Sequence, residues 1–254
     1  MKKGNEQTEP SGMRLSIVIP AFNEEDRIIR TLEETASYLE KQGYESEVIV
    51  VSDGSTDGTM RAVLKMIGDS SVRVRVFEYH PNRGKGYAVR FGMLQGTGSI
   101  IMFMDADYAV PISDLERGIR IIESGCDLAI GSRAVDGSRV IARQNIFREL
   151  SARFYTLVQN SYLGISYPDT QCGFKLFRRQ AARELFGRQR LESVIFDPEI
   201  LWLARKLGFR AAEFPVHWQH VANSRIQYDT IGKSIFVFRE LFRIKRLHPA
   251  IGKR

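Results

Sequence analysis

From Leu15 to about Ser132, short β-branched apolar runs alternate with longer stretches in which apolar residues recur every three or four positions. The runs predict strands over Leu15–Pro20, Glu47–Ser52, Val72–Tyr79, Ser99–Met104 and Asp127–Gly131. Helical spacing fills the gaps: Glu24–Gln42, where Ile28, Ile29, Leu32, Ala36 and Leu39 share one face, then Asp57–Ile67, Gly86–Leu94 and Ser113–Glu123. Strand and helix in regular alternation predict an α/β fold, a mostly parallel central sheet flanked by helices. Ligands of such sheets gather beyond the carboxyl ends of the strands. The loops after Pro20, Ser52 and Met104 are all rich in Asp, Asn and Glu, and chemistry is expected there.

Beyond Ser132 the pattern changes. A basic helical stretch covers Gln144–Leu163, a short Gly-Phe segment lies at Cys172–Phe177, and a helix is predicted from Pro198 to Leu207. A last strand, Ala211–Trp218, precedes an amphipathic basic helix from Ile231 to Leu247. No internal repeat, low-complexity tract or Pro/Gly linker divides the chain. The expected organisation is a disordered polar tail over 1–13, one domain over 14–230, and a basic amphipathic helix and tail over 231–254.

At 254 residues and 43% hydrophobic, the chain can fill a sizeable core, which excludes disorder throughout. Cys126 and Cys172 have no Cys-x-x-Cys or Cys/His spacing, so neither a disulfide framework nor a structural zinc is expected. A reduced cytosolic setting follows. Met1–Met13 has no apolar stretch of the kind a cleaved leader carries. No run approaches the roughly 18 apolar residues of a membrane span. The net charge of +7 is uneven: Lys233–Arg254 holds seven Lys/Arg against Glu240 alone, and Arg133–Arg153 holds five Arg against Asp136 and Glu149. That distribution implies an anionic partner at two places and argues against a generally basic nucleic-acid surface.

Three constellations carry candidate chemistry. Ile19-Pro20-Ala21-Phe22-Asn23-Glu24-Glu25 follows the first strand, with Asn23 or Glu24 placed to cap the next helix. Ser52-Asp53-Gly54-Ser55-Thr56-Asp57 follows the second, where an acid can accept from a nucleobase N–H or a ribose hydroxyl. It is not a calcium loop, because the twelfth position is Leu64, and no Gly-x-Gly-x-x-Gly fingerprint follows the first strand. Asn82-Arg83-Gly84-Lys85-Gly86 reads as a helix start near phosphates, with Arg83 or Lys85 in contact. The third is Asp105-Ala106-Asp107 at the end of the fourth strand. Two carboxylates at i and i+2 repel unless a cation is shared, so a hard divalent ion is the natural third party. A solvated acidic turn is the competing reading, weakened by the position after an apolar strand.

In order and spacing these segments, with Gly131-Ser132-Arg133, Asp169-Thr170-Gln171-Cys172-Gly173-Phe174-Lys175 and Phe196-Asp197-Pro198-Glu199, resemble the family 2 inverting glycosyltransferases of GT-A fold. The likeness runs from Leu15 to Ile244 and is closest to polyprenyl-phosphate glycosyltransferases of the dolichyl-phosphate glucosyltransferase type. It implies a base and ribose pocket from Pro20, Phe22, Glu24, Val51 and Asp53. It further implies that Asp105 and Ala106 lie along the ribose and diphosphate, with Lys85 near the phosphates. Asp107, with Asp105, would bind Mg2+ or Mn2+ on the diphosphate, and Arg133 would reach phosphate. Arg148 and Arg153 are candidates for the acceptor phosphate, and Asp169 and Asp197 for a catalytic carboxylate, Asp169 also for orienting a neighbouring Arg. Two departures matter. Ser52 stands where many members carry an acid, and Ala109 where mannosyl-transferring relatives carry a metal-binding Gln. Ala109 tilts the donor toward UDP-glucose or another UDP-hexose.

The resemblance implies hexose transfer to a polyprenyl or dolichyl phosphate at the cytosolic face of a membrane, the enzyme peripheral. Such a phosphate is already anionic near pH 7 and needs little general-base help. Apolar and cationic residues interleave over Ile231–Arg246, and Ile146, Phe147, Leu150, Phe154 and Leu157 run beside Arg143, Arg148 and Arg153. Both stretches can lie in a membrane interface, or can pack on the sheet as ordinary helices. The alternatives are a GDP-mannose-dependent enzyme, a family 2 enzyme with a soluble acceptor, and a non-enzymatic partner subunit that binds sugar nucleotide or membrane.

Overall fold

The computed structural model describes residues 13–67, 72–141, 146–221 and 231–252; the tail expected over 1–13 lies outside them except for Met13. A seven-stranded sheet forms the centre. It is built from β1 (Leu15–Ala21), β2 (Ser46–Asp53), β3 (Arg73–Tyr79), β4 (Ile100–Met104), β5 (Leu128–Ser132), β7 (Phe174–Arg178) and β8 (Ala211–Pro215), in the order β3-β2-β1-β4-β7-β5-β8. All neighbours are parallel except β7, which runs antiparallel between β4 and β5. Two short strands, β6 (Arg139–Ile141) and β9 (His217–Gln219), pair in parallel as a separate ribbon.

The period of two along each strand explains why both faces are covered. On β1, Ile17 and Ile19 enter one core while Val18 enters the other; Val48 and Val50 of β2 part in the same way from Ile49 and Val51. The first core is closed by α1 (Ile28–Glu40), α2 (Thr59–Ile67) and α4 (Leu115–Glu123) through Ile28, Leu32, Leu39, Val63, Ile119 and Ile122. The second is closed by α3 (Lys85–Gln95), α6 (Arg179–Arg188), α7 (Phe196–Leu207) and α8 (Ile231–Leu247), with Val89, Leu185, Trp202, Leu241 and Ile244 fully or almost fully buried. Parallel strands buried on both faces read as continuous apolar runs, as β1, β2 and β4 do. α5 (Ile146–Leu163) lies beside α8, with Tyr162 edge-on to Phe242 at 4.9 Å, and a short α9 (Pro249–Gly252) closes the described chain.

Four expectations need correction. α1 begins at Ile28 rather than Glu24, because Asn23 turns the chain at φ 55° and Glu24 donates its N–H to Thr59 instead of starting a helix. The Gly-Phe segment is the inserted strand β7, whose Phe174, Leu176 and Phe177 have no exposure. Ala211–Trp218 is two strands: after Pro215 the N–H of Val216 goes to the Ser132 carbonyl and β9 leaves for the ribbon with β6. α6, which begins directly after β7, was not expected, although Ala181, Ala182, Leu185 and Phe186 carry a helical repeat.

Candidate active site

The strand order reverses between β1 and β4, and the crevice at their carboxyl ends is where the acidic loops converge. Register puts Ala21 beside Ser52, and Val18 beside Phe103 one residue from the end of β4. Small polar side chains stitch the first two loops together. Asn23 donates its N–H to Ser55 Oγ at 3.2 Å and accepts the Thr56 N–H at 2.8 Å; Glu24 N–H reaches Thr59 Oγ1 at 2.8 Å. Asn23 and Tyr108 both hold positive φ, 55° and 56°, one after β1 and one after β4. Non-glycine residues in that region are strained and cluster at functional sites.

Asp53 closes β2 and is 3% exposed. Its carboxylate accepts the N–H groups of Arg83 (2.7 Å) and Gly84 (2.8 Å) and the Asn82 amide (3.0 Å). It thereby fixes the turn that starts α3, where Gly84 at φ 106° leaves no room for a Cβ against the Glu192 carbonyl. Lys85, the first residue of that helix, reaches Asp105 Oδ1 at 2.6 Å. Burial alone would lower the Lys85 pKa, but Asp105 and Asp197 outweigh it and hold the ammonium charged. Arg83 turns away to Glu192 and lies over the Tyr87 ring at 3.6 Å.

Asp105 rests on the turn before β7. Its N–H donates to the Gly173 carbonyl at 3.1 Å, and a Cβ at residue 173 would land on the Asp105 carboxylate. Asp107 is pushed above the ordinary carboxyl range by burial and by the charge of Asp105, against the Ala109 N–H and Lys85. That pattern tests the fit of a divalent cation. Two hard oxygen donors two residues apart repel each other, an effect that Lys85 offsets only in part and that a cation would remove. Among the described residues no three His, Cys, Asp or Glu side chains cluster to form a complete cage. The donor set therefore fits an ion that takes its remaining ligands from outside the protein.

Behind this edge the charges are paired. Arg133, directly after β5, grips Asp169 with Nε at 2.7 Å and Nη2 at 2.9 Å, and its own N–H adds a third bond at 2.9 Å. Burial would raise Asp169, but Arg133 overrides it and holds the carboxyl below the usual range. Asp197 is 2% exposed and bonded to the buried Lys175 at 2.6 Å; Lys175 also donates to the Cys172 carbonyl at 2.6 Å. Glu199 accepts two backbone N–H groups, from Arg190 and Leu191, each at 2.8 Å, and meets His248 at 2.5 Å.

The remaining sequence candidates fall in different surroundings. Pro20 is buried in β1, and Phe22 stands 39% exposed at the mouth of the first loop. Glu24 pairs with Arg27 at 2.6 Å. Val51 is wholly buried under α3, so only its backbone could face a ligand. Ala106 is buried and its carbonyl accepts the Thr31 hydroxyl at 2.6 Å. Arg153 is exposed on α5; the Arg148 side chain lies outside the described set. Lys175 and Gly173 stood within a recognised segment, yet only the fold shows what they hold. Gln171 and Trp218 share a small cleft with Asp105 and Arg133, and nothing in their spacing announced it.

The model of the family described as Glycosyl transferase family 2 matches residues 16–186. The dolichyl-phosphate beta-glucosyltransferase of Saccharomyces cerevisiae is 40% identical over 241 residues, covering 87% of this chain and 72% of that protein. The human protein of the same name is 36% identical over 241 residues, covering 88% and 74%. Among solved structures, glucosyl-3-phosphoglycerate synthase from Mycobacterium tuberculosis, in complex with Mn2+, UDP-glucose and phosphoglyceric acid, has a TM-score of 0.65 at 22% identity, covering 92% of this chain and 80% of that one. That likeness is one of fold.

Proposed function

The chain belongs to glycosyl transferase family 2, and from that membership we propose that it transfers glucose from UDP-glucose, with inversion, to a dolichyl or other polyprenyl phosphate at the cytosolic face of a membrane. The observation that carries the reading is the 40% identity, over most of the chain, to an enzyme named for glucosyl transfer to dolichyl phosphate. Ala109, in place of a third side-chain ligand, supports a UDP-hexose over GDP-mannose.

In this reading Asp53, Glu24, Phe22 and the backbone of Pro20 and Val51 surround the uridine, and Asp105 and Ala106 lie along the ribose and diphosphate. Asp105 and Asp107 would hold Mg2+ or Mn2+, which when bound supplies Lewis-acid charge at the leaving diphosphate. Lys85 stays protonated beside Asp105 and keeps positive charge near the same phosphates. Arg133 is held in one orientation by Asp169, leaving its outer edge for a phosphate oxygen. A phosphate oxygen of the acceptor forms the new bond to the anomeric carbon as the bond to the diphosphate breaks and UDP leaves. The nucleophile is already an anion, so Asp169 and Asp197 serve better as positioning groups than as bases; both are nearly buried and cation-paired. Arg148 and Arg153 on α5 are the proposed contacts of the acceptor phosphate.

A membrane surface fits α5 and α8. Phe154, Leu157 and Ile235 are 60%, 68% and 63% exposed, with Arg153, Arg239, Arg243 and Arg246 on the same two helices. Phe154 and Phe238 join the helices at 6.4 Å. Among the described residues no helix is long and apolar enough to cross a membrane, so the contact proposed is with the interface. The test is a panel of UDP- and GDP-sugars with detergent-dispersed polyprenyl phosphate, with and without EDTA. Glucosyl transfer to lipid that EDTA abolishes is expected. Transfer only to a soluble acceptor would overturn the lipid assignment, and transfer only from GDP-mannose the donor.

A further inference from the structure

We infer that Gln171 and Trp218 form the subsite for the hexose of the donor, a role that rests on the nucleotide-sugar reading above. The two side chains line a small, open-mouthed cleft together with Asp105, Ala109, Arg133 and Gly173. Gln171 Nε2 is buried and has no hydrogen-bond partner among the described residues. A buried donor left unmatched is costly, and beside a cleft it can be met by an acceptor that a ligand brings. Gln171 is not loosely placed: its N–H is fixed to Asp169 Oδ1 at 3.1 Å, within the carboxylate that also holds Arg133.

Trp218 is positioned with equal care. It is the middle residue of β9, paired with Val140; on one side His217 N–H is anchored to Asp114 at 2.6 Å, and on the other Gln219 N–H donates to the Ala109 carbonyl at 2.9 Å. The strand is thus tied to the loop that follows Asp107. The Arg133 guanidinium sits 5.6 Å from the indole centroid.

The chemistry of the cleft selects the class of ligand. Arg133 is matched by Asp169 and Lys85 by Asp105, so no unpaired charge is offered by these four. Cys172 is buried, and burial pushes its thiol up to about 12, so it adds no charge either. What remains is a neutral amide donor, the Trp218 indole, and the space of the cleft beside Ala109. A pyranose presents hydroxyl oxygens around its rim and C–H groups on its faces, which match the amide and the indole. Asp105 borders the cleft, so a sugar there lies next to the diphosphate to which it is bonded.

The test compares a nucleotide with and without its sugar. Calorimetric titration of UDP and UDP-glucose, with Mn2+ present, is made on wild type, Gln171→Met and Trp218→Leu. Affinity for UDP-glucose should fall about 10-fold in each variant, while affinity for UDP changes less than about twofold. Equal losses for both ligands in a folded variant, or no loss for either, would overturn the subsite. If melting curves show that Gln171→Met is unfolded, Gln171→Glu replaces it, keeping the shape without the N–H donor. Should wild type bind neither UDP nor UDP-glucose, the proposed donor fails. The contrast is then read with GDP and GDP-mannose, where a loss confined to the sugar form sustains the subsite and an equal loss overturns it.

Discussion

Asp53, at the end of β2, and Asp169 and Asp197, beyond β4, keep their buried charges by different means. Asp53 is solvated by dipoles: two backbone N–H groups and one amide within 3.0 Å, with no ion pair to it among the described residues. Asp169 and Asp197 are instead neutralised by Arg133 and Lys175, and Glu199 is held by two N–H groups and His248. Dipoles stabilise a charge without cancelling it, whereas an ion pair cancels it. These rear pairs therefore form a nearly neutral frame, while at the edge Lys85 pairs with Asp105 and Asp107 has no ion pair among the described residues. A frame of this kind can be rigid without competing for a cation or a diphosphate bound at that edge.

The comparison breaks if the two kinds of acid respond alike to substitution. Lys175→Met leaves Asp197 buried without its cation and should cost about 3–5 kcal/mol in urea unfolding, while the double variant with Asp197→Leu recovers much of that. Asp53→Asn keeps one acceptor oxygen and should cost about 1–2 kcal/mol. Equal costs would mean that the dipole cradle is as demanding as the ion pair. The next largest effect is catalytic. Asp107→Ala should lower metal-dependent kcat/KM about 100- to 1,000-fold, with the melting temperature unchanged or raised, because a repulsion with Asp105 is removed. Undiminished activity would remove the metal role assigned to Asp107, and a large drop in melting temperature would make Asp107 part of the frame.

The same division governs what the amino-acid sequence discloses. In the front half, β1, β2 and β4 are apolar runs that lead into acids; Asp53 accepts from backbone N–H groups and an amide at the turn after β3, while Glu24 pairs with Arg27 and Asp105 with Lys85. Period and position suffice to find them. In the rear half, Asp197 meets Lys175 across 22 residues and Asp169 meets Arg133 across 36, pairings that no periodicity announces. β7 escaped because a five-residue apolar strand of a mostly parallel sheet, inserted in the opposite direction, has no crossover helix to mark it. Gln171 and Trp218 come together only because β9 leaves the main sheet after Pro215. Gly173 shows its reason only when Asp105 is seen lying against it.

The smallest expected effect tests the pairing through pH. Arg133 holds the Asp169 carboxyl below its usual range although burial works against the charge. A carboxyl whose folded pKa is depressed adds stability that is complete above its unfolded value, about 3.9, and is lost as pH falls through the folded value. Wild type should therefore exceed Asp169→Asn in urea midpoint by a constant margin from pH 7 to about pH 5, and the margin should close progressively below about pH 4. Arg133 is always charged, so its loss of a partner is the same at every pH in the variant and does not mimic this closure. A margin that stays level to the acid end would mean that Arg133 gains nothing from the Asp169 charge. The grip that orients the guanidinium would then rest on hydrogen-bond geometry alone.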